Sequence, residues 1–416
     1  MTSDQPAEGE DEGPPQVQWE TEYWKMFDLN TLPGESDSEP KYFTEFQGDL
    51  YFSADATTDD SELWTFDGTT ASLVEDIYTG STPSNPGPMV VYDGALYFVA
   101  TDATVGRELF KFDGTDVTNV TNLNTNIAVN GGDSFLQYQV GTLQDERLVE
   151  FQGSLYFTAN GNDDKGTELW GYNASDGAIR VADINPGDAN SWSNPGGLTV
   201  FDDELYFYAD DGADGYELWK YNRSGAVQVA DIFDGPGNSY LLDEEVTMAV
   251  YGGALYFAAN GNDDAGLELW KYDGDNPPSR IEDINPGAGD SEPEDFLVAD
   301  GLMFFEAEND QYGQEMWQYD GSTVSIVVDA VPGATGSNPS RHAVIQNKVW
   351  VESTDATYDD ALFFLDSTGL NYFHHIGDPF DGDIDAIGGF DKYIVVQGQT
   401  EAYGDELWVY NPDGWI

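Results

Sequence analysis

The side chains able to do acid–base or metal chemistry are unevenly stocked in this chain. It holds 79 Asp and Glu, three histidines and no cysteine. Without cysteine there are no disulfides, no thiolate metal ligands and no thiol nucleophile. The histidines, His342, His374 and His375, lie in one stretch near the C-terminal end, at spacings that match no helical metal-binding motif. No Gly-x-Ser-x-Gly elbow and no phosphate-binding loop occurs. Two "NGNDD" segments carry the acid pairs Asp163, Asp164 and Asp263, Asp264. Clustered oxygens suit calcium, but the alternating Asp ladder of a calcium loop is missing, so these read as solvated acids. Carboxylate pairs fit for glycosidic chemistry are too numerous to single any out. The inventory predicts no catalytic residue, no cofactor and no metal site, with cations bound only nonspecifically.

What positions these groups is a repeat. "ANGNDDKGTELWGYN" begins at Ala159 and "ANGNDDAGLELWKYD" at Ala259. Glu-Leu-Trp or a close variant begins at Glu62, Glu108, Glu168, Glu217, Glu268, Glu315 and Glu406, with a degraded copy at Ala361; the intervals run from 45 to 60 residues. Upstream of each lies an apolar run such as "LYFSA" or "LYFTA", and downstream another ending in Asp-Ile or a relative. Every run is short, aromatic or β-branched, and bounded by Gly, Asp or Asn, which is how strands read. A period of about 40–50 residues carrying four short strands marks a propeller blade. Eight units predict an all-β, eight-bladed β-propeller of four-stranded blades. The last unit stops before its fourth strand, and "EYWKMFDLN", from Glu22 to Asn30, supplies a matching one. The N-terminal strand is thus expected to complete the last blade and remove its open edge. Residues 1–21 read as an acidic, Pro-rich tail and 22–416 as one propeller domain.

The wording of the unit, in "ELWTFDGTT", "ELFKFDGTD", "ELWKYDGD" and "EMWQYDGST" with its "DINPG" and Ser-x-Pro connectors, resembles the ELWxxDGT-repeat proteins. The resemblance runs from about Trp24 to the C-terminus. It implies a β-propeller without implying an activity, and members of that family are typically parts of large secreted or surface-exposed proteins. This chain differs in showing no basic and apolar leader at its start.

A residue present in every blade is expected to serve the blade. The repeat Glu and Trp, two apart on a strand, share a face. There the Trp can pack on the neighbouring sheet and the Glu can accept hydrogen bonds from amides or from an indole N–H. Phe110 and Phe363 fill the Trp position in two copies, as packing allows. Asp76, Asp183, Asp231, Asp283 and Asp329, which precede the connectors, are expected to close Asx-type turns.

Recognition is expected where the unit varies. The turns between the first and second strands are short, as are the "DGT" turns between the third and fourth. Loops after the second strand and connectors after the fourth are longer and emerge together on the other face. Surface loops on a rigid scaffold carry binding, so this face is the expected binding face. Its candidate residues are Asn124, Asn126, Asp133, Phe135 and Tyr138 in the longest connector, with Asp163, Asp164, Asp263 and Asp264.

The formal net charge is −65. So much like charge would weaken a fold in dilute buffer, but at about 1 M salt the screening length falls to roughly 3 Å. Acids spread along the whole chain therefore read as the composition of an extreme halophile. Nucleic acid is a poor partner, since binding it needs clustered Lys and Arg. No stretch approaches the about twenty apolar residues of a membrane span. The expected role is a non-catalytic structural or recognition propeller on a halophilic surface assembly, foremost a virion surface. Its expected partners are proteins of that assembly, copies of itself, or a host-surface glycan or protein. The alternatives are an adhesion protein of a microbial envelope, a protein of a halophilic cytoplasm, or an enzyme acting on a carbohydrate or small molecule.

Overall fold

Each unit folds as an antiparallel meander of four strands, and eight such sheets form the ring of a β-propeller. The computed structural model describes the chain outside residues 1–16, 21–22, 31–36, 58, 124–146, 162–164, 187–190, 241–247, 263–264, 288, 355–360, 367, 376–383, 401–402 and 415–416, and statements here concern the described residues. Blade 1 comprises Lys41–Phe46, Asp49–Asp55, Ser61–Phe66 and Ala71–Glu75, and blades 2 to 7 repeat this order. The first strands of neighbouring sheets touch one another, which places them innermost.

Blade 8 is built from both ends of the chain. Ile384–Phe390, Tyr393–Thr400 and Gly404–Tyr410 supply its inner strands, and Trp24–Phe27 pairs antiparallel with the last of these, Trp24 opposite Tyr410 and Phe27 opposite Leu407. The closing strand is the expected one. A fifth strand, Val17–Glu20, lies outside it, within the stretch whose composition reads as tail.

Apolar clusters fill the seams between blades, because alternate residues of each strand face the neighbouring sheet. At the closure, Phe27 and Leu407 of blade 8 pack with Leu50, Phe52 and Phe66 of blade 1. Trp219 of blade 4 packs with Leu169 of blade 3 and with Ile184 of the connector between them. The repeat Trp thus packs across a seam, as its spacing predicts.

The "DGT" turn follows from two local demands. Asp67 Oδ1 accepts the amides of Thr69 and Thr70, both at 2.8 Å, an Asx turn. Gly68 then sits at φ 92°, and a Cβ there would lie 3.6–3.8 Å from Tyr393 and Phe390 of the preceding blade. The space would accept a Cβ at ordinary contact distance, so it is the positive φ that calls for glycine.

Candidate functional site

The repeat Glu is structural. Glu62, Glu108, Glu168, Glu217, Glu268, Glu315 and Glu406 are each at most 1 % exposed. Glu62 accepts the amides of Ile77 (2.8 Å), Tyr78 (3.4 Å) and Ser84 (3.1 Å), and the hydroxyl of Ser84 at 2.6 Å. Ser193, Ser291, Ser337 and Ser38 likewise donate their hydroxyls to Glu168, Glu268, Glu315 and Glu406. The carbonyl of each such serine then accepts an amide from the second strand of the next blade or the residue just after it, as Ser84 does from Thr101 at 2.8 Å. The pair forms a latch from blade to blade, and Glu406, Ser38 and Asp55 carry it across the ring closure. Burial pushes the carboxyls of Glu62, Glu168, Glu217 and Glu268 up to about 7, against the lowering effect of these donors.

Two expectations about the repeat need correction. The repeat indoles do not serve the latch: Trp317 and Trp408 donate to the carbonyls of Ala307 and Gly398, and the indole nitrogens of Trp64, Trp170, Trp219 and Trp270 meet no acceptor among the described residues. The Asp residues before the connectors are poor turn closers. Asp76 and Asp231 accept amides only at 3.5 and 3.4 Å, while Asp183 forms ion pairs with Lys165 and Arg180. Asx turns form instead at the Asp of "DGT".

The nine residues expected at the binding face, Asn124, Asn126, Asp133, Phe135, Tyr138, Asp163, Asp164, Asp263 and Asp264, all lie outside the described residues. On the same face, the structure brings together charged groups that sequence reasoning did not select. They sit where the repeat is broken, in blades 6 to 8.

The first strands of blades 1, 4, 6, 7 and 8 begin with a β-bulge, those of blades 6 to 8 being Glu294–Ala299, Ser340–Ile345 and Ile384–Phe390. A bulge re-aims side chains. Those in blades 6 and 7 place Asp295 at φ 50° and Arg341 at φ 52°, where blade 4 uses Gly197 at φ 68°. Holding a side chain in this left-handed region costs roughly 1–2 kcal/mol, and blade 1 does the same with Tyr42 at φ 62°, so the conformation belongs to the bulge and not to these blades alone.

Arg341 and His342, adjacent on one strand, face opposite seams. Arg341 Nη2 donates to Asp385 Oδ1 of blade 8 at 3.1 Å, half exposed. His342, 4 % exposed, points into blade 6, with Nδ1 3.2 Å from Asp295 Oδ2 and Nε2 2.9 Å from Glu306 Oε1. Burial alone would lower the imidazole, but the two carboxylates hold it up to about 9. Burial raises the Glu306 carboxyl and the imidazolium opposes that shift. The 2.9 Å approach of Nε2 to Glu306 is a close charge contact and not an aligned hydrogen bond, since Nε2 meets no acceptor in hydrogen-bonding geometry. The three residues could offer ligands to a metal. The two imidazole nitrogens lie on opposite ring edges, each beside a different carboxylate.

Beside the clamp opens a cleft of about 210 Å³, lined by Asn338, Ser340, Arg341, Glu352, Thr354 and Asp385 among others. Glu352 is buried, accepting the Ser340 hydroxyl at 3.1 Å and the Ile384 amide at 3.3 Å. The walls are hydroxyls, an amide, carboxylates and a guanidinium, with no apolar side chain. Such a lining suits a small polar ligand or the polar tip of a larger one. A sequence signal for it existed. At the variable position of the "LYFxA" run, Ser53, Val99, Thr158, Tyr208 and Ala258 give way to Glu306, Glu352 and Gln397 in blades 6 to 8.

His374 and His375 lie on the outer strand Gly369–His375, paired with Leu362 and Ala361. The fold therefore does not bring them to the inner strand that carries His342.

No family model matches the chain, and no curated protein matches it. Among solved structures the chain is similar to one from a structural and mechanistic study of two prolyl endopeptidases. The TM-score is 0.52 at 10 % identity, over 87 % of this chain and 52 % of that one. It thus spans about half the length of that enzyme. It is also similar to the β-propeller domain of the Trilobed protease from Pyrococcus furiosus, with a TM-score of 0.45 at 10 % identity, over 79 % of this chain and 96 % of that one. The first likeness shows the propeller fold alone, and the second carries no further argument.

Proposed function

We propose that this chain is a non-catalytic recognition and structural propeller, displayed on a halophilic surface assembly such as a virion. Its loop-bearing face at blades 6 to 8 would engage a polar partner, a host-surface glycan or protein. The observation that carries this reading is the division of labour among the acids. The repeat carboxylates are consumed by latches, whereas the charged groups that break the repeat line a polar cleft on one face. At molar salt, exposed charge pairs are screened, so neutral hydroxyl and amide groups are the partners that such a cleft can still hold by hydrogen bonds. The halophilic setting is supported by composition, with −65 spread over the chain.

The test is binding of the full chain to fragments of halophile cell envelope, intact or stripped of glycan, in about 1 M KCl. Binding that Arg341→Gly with Asp385→Asn abolishes supports the reading. Binding unchanged by that pair removes the cleft from it. Release of a sugar during the assay would move the assignment to a carbohydrate-acting enzyme.

A further inference from the structure

One nitrogen of His342 is buried with no acceptor in line. The side chain is 4 % exposed, and Nε2 meets no acceptor in hydrogen-bonding geometry among the described residues. Glu306 Oε1 stands only 2.9 Å away, so direction fails and not distance. Oε1 therefore lies beside the in-plane axis of Nε2 and leaves that axis to another group. On the other ring edge, Nδ1 lies 3.2 Å from Asp295 Oδ2. A neutral ring with its proton on Nδ1 would aim the lone pair of Nε2 past a buried carboxylate, with nothing positive between them.

The three groups are departures from the repeat, made on both sides of one seam. Counted from the bulge, blades 1, 4 and 6 place Phe43, Leu198 and Phe296 where blade 7 places His342. Asp295 stands where blade 4 has Gly197. Glu306 stands where blades 1 to 5 have Ser53, Val99, Thr158, Tyr208 and Ala258. Packing does not ask for this, since an apolar residue fills the His342 position in the other three blades. Each of the three residues offers one ligand atom, and these atoms lie within 4.8 Å of one another.

We propose that this seam binds a divalent transition-metal ion, zinc foremost, with His342 Nε2 and Glu306 as its ligands and Asp295 holding Nδ1 of the same ring. A carboxylate on the far nitrogen is the usual partner of a metal-bound imidazole, because it fixes the ring and makes the near nitrogen a better donor. Imidazole suits zinc-like ions, whereas an all-oxygen set suits magnesium or calcium. Two ligands of one zinc ion stand about 3.3 Å apart at the tetrahedral angle, so the 2.9 Å pair needs only a few tenths of an ångström of opening. Glu306 is tied through its other oxygen, which accepts the Gln314 amide at 2.9 Å, so Oε1 can turn to the ion. Water completes the shell. The ion would join blades 6 and 7, and in the metal-free chain a proton takes its place.

Zinc is titrated calorimetrically into the full chain at fixed KCl of about 1 M, with excess magnesium present to occupy the acidic surface. The expected result is a saturable zinc step that magnesium does not displace, with a rise of the urea midpoint across it. His342→Gln should abolish the step. Asp295→Gly restores the blade 4 residue and keeps both ligands; it should weaken the step about tenfold or more, as loss of the carboxylate behind a metal-bound imidazole does. His374→Gln with His375→Gln should leave the step unchanged. A wild type without a saturable step would overturn the site. So would a step that survives both His342→Gln and Asp295→Gly, or one lost with His374 and His375.

Discussion

Replacing Glu62 by alanine removes one latch and leaves its donors behind. Ser84 keeps a partner, since its amide and hydroxyl also reach the carbonyl of Ser61 at 3.1 and 3.2 Å. The amides of Ile77 and Tyr78 lose the carboxylate they donate to, at 2.8 and 3.4 Å. Leaving a buried donor unsatisfied costs about 1–3 kcal/mol; both amides are part-buried and the 3.4 Å contact is weak, so together they give about 1–3 kcal/mol. Relief of the carboxylate's own burial offsets part of this and puts the expected loss in the lower half of the range. That is a large share of the about 5–15 kcal/mol that holds a folded domain. Urea unfolding at fixed molar KCl, followed by tryptophan fluorescence, reads the loss as a shift of midpoint. Ser84→Ala alone and the double variant complete a cycle, and the coupling between them should be about 0.5–3 kcal/mol. Additive single and double effects would mean that the 2.6 Å contact contributes nothing and that the latch is not what joins blade 1 to blade 2.

Stability should fall as pH rises, in two windows. The latch carboxyls raised from 4.5 to about 7 bind protons more tightly in the folded chain. Their contribution is full below pH 4.5 and lost as pH rises through 7; Glu168→Gln should flatten this window in a pH series of melting midpoints. His342, raised from 6.5 to about 9, contributes fully below pH 6.5 and loses that contribution as pH rises through 9. His342→Gln should flatten only this second window. Deleting residues 1–30 removes the strand paired with Gly404–Tyr410 and should lower the midpoint far more than loss of a tail; equal melting of the two chains would refute closure. Trp219→Ala should cost about 3–5 kcal/mol, as for a buried aromatic, and a cost within error would contradict its packing at the seam. The melting midpoint should climb with KCl into the molar range, and a flat series would end the halophile reading.

The sequence displayed the fold because the fold is a local unit written eight times, and each copy reports on the others. The latch was half readable: a Glu in every blade implies a structural acceptor, but its serine partner stands about 22 residues away in a connector, as Ser84 does from Glu62. The Asp of the "DGT" turn and the Asp before the connector look alike in sequence. Only the first has two amides within reach. The clamp was hidden for a different reason. His342 meets Asp295 and Glu306 across a seam, from a bulged strand of the next blade, and no local pattern encodes that approach. The surest signal was the loss of the repeat in blades 6 to 8, and loop length drew attention to other segments.

The repeat builds the ring, and the proposed binding lies with the broken repeat. Two variants set these roles against each other in one preparation: Glu217→Gln in a latch, and Arg341→Gly at the cleft. Loss of an exposed ion pair costs about 0–1 kcal/mol, and glycine relieves a left-handed residue of roughly 1–2 kcal/mol while adding about 0.5–1 kcal/mol of chain entropy, so the changes about cancel. Arg341→Gly should therefore keep its urea midpoint and lose binding to envelope fragments, while Glu217→Gln should lower the midpoint and keep the affinity of whatever remains folded. The opposite pattern, with Arg341→Gly binding normally and Glu217→Gln folded as firmly as the wild type but unable to bind, would contradict the account.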